Sequence, residues 1–421
     1  MTKKNRNLQA RHFLLYLIGF LDMLAISLVV PAFPVHIKSF GASSTLTGAI
    51  TSIYGALQLF SSPLVGKWSD SRGRLNAISA CLIISSTGYL FSGFFVSSLV
   101  SLALLRIIPG IFKHTQDLCR CCLIEESGHN KNQAIGSFNA IASIGFIIGP
   151  TVHGHLVANF GHTYGLYISY MICASLFLLN FLVVSILRFY PNHELYKPMP
   201  TQKSHKNGFN HENGVTENTA NVENITDDLK RFQRGVFASR FLLALPVLMF
   251  RSTFVLWLTH YHPDLASTTV GYIVSYNGFL GLFFGFLVGT VSNLAYYKGH
   301  EEKLQMHASC LVLLSFILFL ISSKISVILV AMTTLTMGTS VLRVCGVVLT
   351  VKYSESCDIG HIQGLGSSVL SVARFGAPLA NGILQELSFS APNAFSIFLG
   401  SLSIAVFYYD SYLYRERKLK M

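Results

Sequence analysis

Residues 47–74, TGAITSIYGALQLFSSPLVGKWSDSRGR, decide the fold. From Thr47 to Val65 there is no Asp, Glu, Lys, Arg or His. About twenty such residues, rising 1.5 Å each, cross a hydrocarbon core of roughly 30 Å. Lys67, Asp70, Arg72 and Arg74 then crowd around Gly66 and Gly73. The stretch predicts a membrane helix that ends in a tight, charged turn at the water interface.

The same pattern recurs along the chain. Of its 421 residues 51% are hydrophobic and only 12% charged, far from the average of a soluble domain. Twelve candidate spans follow, near 13–35, 46–66, 75–96, 98–122, 134–157, 163–187, 237–260, 268–290, 304–322, 325–352, 362–386 and 391–413. The first has too long an apolar run, and no small-residue cleavage site after it, for a cleavable leader. Residues 188–236, rich in Asn, Lys, Glu, His and Thr, read as a disordered cytoplasmic linker between an N-terminal six-helix bundle (1–187) and a C-terminal bundle with a short basic tail (237–421).

The net charge of +12 invites a nucleic-acid reading, which its placement rejects. Of the 31 Lys and Arg residues, 24 fall at one side of the spans, two (Lys38 and Lys324) at the other, and five within spans. That asymmetry places both termini in the cytoplasm and makes the partner a lipid bilayer, with no nucleic acid. The eight cysteines form no spaced framework. Cys119, Cys121 and Cys122 read as small packing residues rather than palmitoylation or metal sites. No nucleophile–base pair, phosphate loop or metal-ligand spacing appears, so neither an enzyme nor a bound cofactor is expected.

Charges inside spans are expensive and therefore informative. The five cations are Arg106, Lys113, Arg251, Arg343 and Arg374; against them stand Asp22 and Asp117. On a continuous fourth helix, Arg106, Gly110, Lys113 and Asp117 share one face, and Lys113 could neutralise Asp117. Arg251, Arg343 and Arg374 have no acid within their own spans and predict a central cavity that contacts an anionic or carboxylate-bearing solute. His114 is the one histidine singled out for titration.

The second half repeats the first. At an offset of 223, Gly48, Ser52, Gly55 and Gly66 return as Gly271, Ser275, Gly278 and Gly289, while Asp70 becomes Asn293. At an offset of 228, Gly136, Pro150 and Gly154 return as Gly364, Pro378 and Gly382. Two copies of a six-span unit are the sign of a transporter built from repeats.

Gly66, Asp70, Gly73 and Arg74 resemble the loop signature of the major facilitator superfamily, with departures at Trp68, Ser71 and Leu75. Leu21-Asp22 through Pro31 resembles the first-helix signature of the superfamily's drug–proton antiporters. Arg106 and Gly110 resemble its fourth-helix motif, tied to proton coupling, and Glu125 matches the acid at that helix's end. Gly136, Gly145, Gly149-Pro150 and Gly154 resemble its antiporter motif, with His153 where a glycine is usual. The runs GFLD (19–22), YGALQLFSSPLVGKWSD (54–70), PGIFKHT (109–115) and GFIIGP (145–150) resemble an orphan animal branch near the tetracycline–proton antiporters.

The resemblance implies an all-α polytopic membrane protein with the major facilitator fold, twelve transmembrane helices in two six-helix repeats. It implies a monomeric secondary transporter of a small organic solute that works by alternating access and proton-coupled antiport. Asp22 and Arg106 would be the coupling pair, with Lys113 and Asp117 beside them. Gly66, Asp70, Arg72, Gly73, Arg74 and Glu125 would form a cytoplasmic gate. The alternative is a non-transporting scaffold or sensor that keeps the fold.

Overall fold

The computed structural model describes residues 3–127, 131–190, 216–292, 300–352 and 359–420, with residues 294, 296 and 297. Among them the secondary structure is helical throughout. The first half holds α1 (Lys3–Ser27), α2 (Phe33–Ser39), α3 (Ser44–Arg72), α4 (Arg74–Phe94), α5 (Leu99–Leu105), α6 (Ile107–Phe112), α7 (Thr115–Glu126), α8 (Lys131–Phe160) and α9 (His162–Leu187). The second half holds α10 (Thr216–Tyr261), α11 (Ser267–Ser292), α12 (Glu301–Ile321), α13 (Ile325–Lys352), α14 (Ile359–Leu387) and α15 (Ala391–Lys420).

Nine helices among the described residues are long and apolar enough to cross a membrane. Helices α3 and α14, of 29 residues each, and the broken α5–α7 segment bring the spans to twelve. The broken segment corrects the reading of a continuous fourth helix. Backbone torsions at Lys113 (φ −82°, ψ 71°) leave the helical region between α6 and α7. The freed Lys113 carbonyl is taken by Gln58 Nε2 of α3 at 3.0 Å. A second correction concerns the linker, of which 191–215 lie outside the described residues. Helix α10 starts at Thr216, well ahead of the expected 237. Its early part has Val222, Ile225, Leu229, Phe232 and Val236 at three- and four-residue intervals, a helical period that polar composition masks.

Each half has its own core. In the first, α1, α4, α7 and α9 bury Leu15, Ile78, Leu123 and Phe177, with Tyr89 stacked on Phe177 at 5.4 Å. Polar bonds in this apolar setting lock register: Asn180 Nδ2 donates to Ile18 O at 3.0 Å and Ser86 Oγ to Ala174 O at 2.8 Å. In the second, Phe250, Phe254, Trp257 and Phe319 bind α10 to α12 and α13.

The halves meet along two seams that the repeat relates, α3 on α14 and α8 on α11. A Cβ on Gly48 would lie 2.3 Å from Pro378 O, and one on Gly271 would lie 2.4 Å from Pro150 O. Only glycine permits that approach. Pro378 and Pro150 carry no N–H, so the carbonyls of Arg374 and Phe146 lose their in-helix donors and face Gly55 and Gly278 instead. Ser52 Oγ accepts from Leu379 N at 3.0 Å; its counterpart Ser275 Oγ bonds Thr151 Oγ1 at 2.8 Å. These contacts occupy the ends of the spans remote from the Gly66–Arg74 turn. Toward that turn, Gly66, Gly136 and Gly285 have no described atom within 4 Å of a notional Cβ.

Candidate functional site

Asp22 of α1 is fully buried, and Lys113 Nζ bonds both its oxygens, at 2.7 and 2.6 Å. Gln116 Nε2 donates to Asp22 Oδ2 and to Gly19 O, each at 2.9 Å. The helix break at Lys113 lets this side chain reach across to α1, where a continuous helix would have offered it to Asp117. Asp117 instead pairs with Arg120 of its own helix at 2.8 Å. Lys113, and not Arg106, takes the Asp22 carboxylate.

Arg106, 7% exposed, lies at the α5–α6 junction without an acid partner. Its guanidinium stacks over Phe33, 3.7 Å from the ring centroid, and stands 5.4 Å from that of Tyr54. Its Nε has no hydrogen-bond partner among the described residues. Arg106 lines a central cavity of about 320 Å³ between the halves. Arg251 of α10 and Arg343 of α13 line the same cavity from the other side of the molecule's pseudo-twofold, with Asn277, Thr51, Ser143 and Phe146 among the neighbours. Among the described residues no acidic side chain lines it. Arg374 departs from the expectation that it faces this space: it lines a smaller, adjoining cavity within the second half, with residues of α10, α12 and α13.

At the turn, the structure brings together three of the expected gate residues. Arg74 Nη1 lies 2.5 Å from Asp70 Oδ1, and Arg74 Nε and Nη2 donate to Glu125 Oε1 at 3.1 and 2.9 Å. Gly73 sits at φ +91°, a conformation that favours glycine, and joins α3 to α4 without a gap. Arg72 is exposed and makes no side-chain contact to this group. All these residues belong to the first half, so in this conformation the cluster ties α3 and α4 to α7 and does not reach across to the second half. Asn293, the repeat partner of Asp70, lies outside the described residues.

The glycine series serves two surfaces. Gly145 and Gly149 press on α1 at Leu24 and Ser27, while Gly154 presses on α11 at Ser267. Gly136 touches nothing described. His153 points away from the seam, its Nδ1 2.8 Å from Ser169 Oγ of α9, so its bulk does not disturb the approach of α11. His114 bonds Ser61 Oγ at 2.7 Å. Outside the spans, burial holds the α2 imidazole of His36 below its ordinary range, with Nε2 2.7 Å from Val96 O.

Sequence reasoning missed a second buried ion pair. Arg11 Nε donates to Glu126 Oε1 at 3.1 Å, and its guanidinium also bonds Tyr190 O. Adjacent acids at 125 and 126 point to opposite surfaces of α7, one to the turn and one to α1. Only the first matched a family position.

Residues 15–378 match the Major Facilitator Superfamily. The chain belongs to it. The multidrug resistance protein 2 of Bacillus subtilis (strain 168) is 25% identical over 417 residues, 94% of each chain. A class H tetracycline resistance protein of Pasteurella multocida is 22% identical over 410 residues, 96% of each. Among solved structures, the human organic anion transporter MFSD10 (TETRAN) superposes with a TM-score of 0.65 at 18% identity, covering 97% of this chain and all of that one. This superfamily member is thus a secondary transporter by family and fold, and not an enzyme.

Proposed function

We propose that this transporter moves a small organic anion by alternating access, in antiport with protons. The observation that carries the reading is the central cavity, where Arg106 from one half and Arg251 and Arg343 from the other converge without a lining acid. A guanidinium fork suits carboxylate, sulfate or phosphate, and its charge in a confined site calls for an anion. The organic anion transporter among the structural relatives is compatible with that class, and the tetracycline resistance relative with proton antiport. The finer resemblance of the runs at 19–22, 54–70, 109–115 and 145–150 is to the orphan transporter called major facilitator superfamily domain-containing protein 9.

Asp22 is the proton-coupling group in this reading. Protonation of its carboxylate would release Lys113, and the pair bridges α1 to the α6–α7 break, an element able to flex. The excess of basic residues at the turn and at both termini supports a cytoplasmic assignment for that face. With it, the conformation described is closed outward by the glycine seams and open inward. The Asp70–Arg74–Glu125 cluster would then latch the cytoplasmic side when the halves close there. The protein acts as a monomer, each chain holding a complete cavity.

The test is reconstitution into liposomes with an internal pH dye and an imposed proton gradient, with organic anions and cations added in turn. Anion-dependent proton movement, lost in Asp22→Asn and weakened in Arg106→Gln, is the expected result. Proton movement driven by cations would sink the anion reading, and movement that persists in Asp22→Asn would sink the coupling role.

A further inference from the structure

The second cavity, about 190 Å³, lies wholly within the second half, walled by α10, α12, α13 and α14. Arg240, Arg251, Arg343 and Arg374 line it. Arg240 donates to Gly346 O at 3.3 Å; the other three have no ion-pair or hydrogen-bond partner among the described residues. Among the described residues no acid lines this wall. Apart from Thr339 and Gln305, the rest of it is aliphatic.

Gln305 is the second, independent sign of a ligand. It is 1% exposed, and neither its amide oxygen nor its amide nitrogen has a partner. A buried amide with both ends idle forfeits its hydrogen bonds on folding, an arrangement that persists where something else supplies them. Four guanidinium groups beside an aliphatic wall ask for one charge type and one body type. We propose that this cavity binds an amphiphilic anion, a carboxylate, sulfate or phosphate on an aliphatic body. Arg240 and Arg374 hold the headgroup, Gln305 offers a donor and an acceptor to its polar linkage, and the aliphatic wall takes the body.

The site is distinct from the central cavity, which Arg240, Arg374 and Gln305 do not line and Arg106 does. Arg251 and Arg343 line both, so an occupant of one cavity lowers the positive potential in the other. The two sites compete for anions through shared charge rather than shared space. Either of two sources would supply this chemistry: a free amphiphilic solute, or an anionic lipid from the surrounding leaflet.

Radiolabelled dodecanoate binding to the full chain, purified in a neutral maltoside detergent, tests the site. Saturable binding of dodecanoate, displaced by dodecyl phosphate and not by dodecanol, is expected. It weakens at least about tenfold in the double variant Arg240→Gln/Arg374→Gln, the loss of charge-assisted hydrogen bonds, and holds in Arg106→Gln. Arg374→Gln alone serves if the double variant loses its monodisperse elution. Equal binding of dodecanoate and dodecanol, or binding that survives these variants, overturns the proposal. So does binding lost only in Arg106→Gln, which would put the ligand in the central cavity. Nanodiscs then separate the sources. Displacement of dodecanoate by phosphatidylglycerol, relative to phosphatidylcholine alone, assigns the site to lipid, and no displacement assigns it to a free amphiphile. Dodecanoate binding in a protein that moves no anion would defeat the transport reading and leave this one standing.

Discussion

In the first half, Asp22 is closed onto Lys113 and Glu126 onto Arg11, both pairs buried. In the second half, Arg251, Arg343 and Arg374 have no ion-pair partner among the described residues. The repeat that relates the halves makes this contrast instructive. Phe146 and Arg374 occupy equivalent positions, each one turn before the seam proline, yet one is apolar and the other a cation. Paired charges tie helices together and leave nothing for a solute. Unpaired ones make no such tie and leave their charge available. Among the described residues the first half is the more heavily ion-paired of the two, with Arg106 as its one unpaired cation at the central cavity.

The contrast breaks first at Lys113. Lys113→Ala strands a buried carboxylate and is expected to destabilise the protein by about 3–5 kcal/mol in chemical or thermal unfolding. Adding Asp22→Leu should restore much of that loss. A single variant as stable as the parent would mean that the first half is not braced by this pair. At the seams, Gly48→Val and Gly271→Val should each cost about 1–3 kcal/mol, borne only by the conformation closed at that end. Cysteine-accessibility labelling would read the resulting shift, and Gly66→Val, facing open space in this conformation, should not shift the population away from it. Unequal effects of the two seam variants would show that the repeat's symmetry does not extend to energetics.

Arg343→Leu sharpens the comparison from the other side. Its unfolding free energy should change by about 1 kcal/mol or less in either direction, because the side chain is exposed in the cavity, while anion-driven flux falls. A marked loss of stability would turn the arginine into a brace after all. The smallest effect is expected at Asp70. Its side chain is 62% exposed, so Asp70→Asn should change stability by at most about 1 kcal/mol. Unchanged flux and unchanged accessibility of the turn face would remove the latch role.

Much of this was legible in the chain. Apolar runs gave the spans, and an ungapped self-match linked Gly48 with Gly271 and Gly154 with Gly382; across the seams Gly48 faces Gly382 and Gly271 faces Gly154. The surplus of in-span arginines predicted a cation-lined cavity. The partners of charges were not legible, because pairing is decided between helices. The reading assumed an unbroken fourth helix, and a break of two residues at Lys113 and His114 reassigned Lys113 from Asp117 to Asp22. Gln116 and Gln305 escaped notice because a lone amide in a span has no sequence signature; only burial marks it. Arg11 escaped because it sits in a basic tail, where a cation looks solvated.

The seams have a thermal consequence. At the glycine positions their contacts are carbonyl against glycine Cα, so parting them there would wet peptide groups. Exposed polar and apolar surface change heat capacity with opposite signs. The exchange between the two faces of this transporter should therefore carry a heat-capacity change far smaller than unfolding does, and a population ratio that bends little on a van't Hoff plot while the stability of each half follows its usual dome.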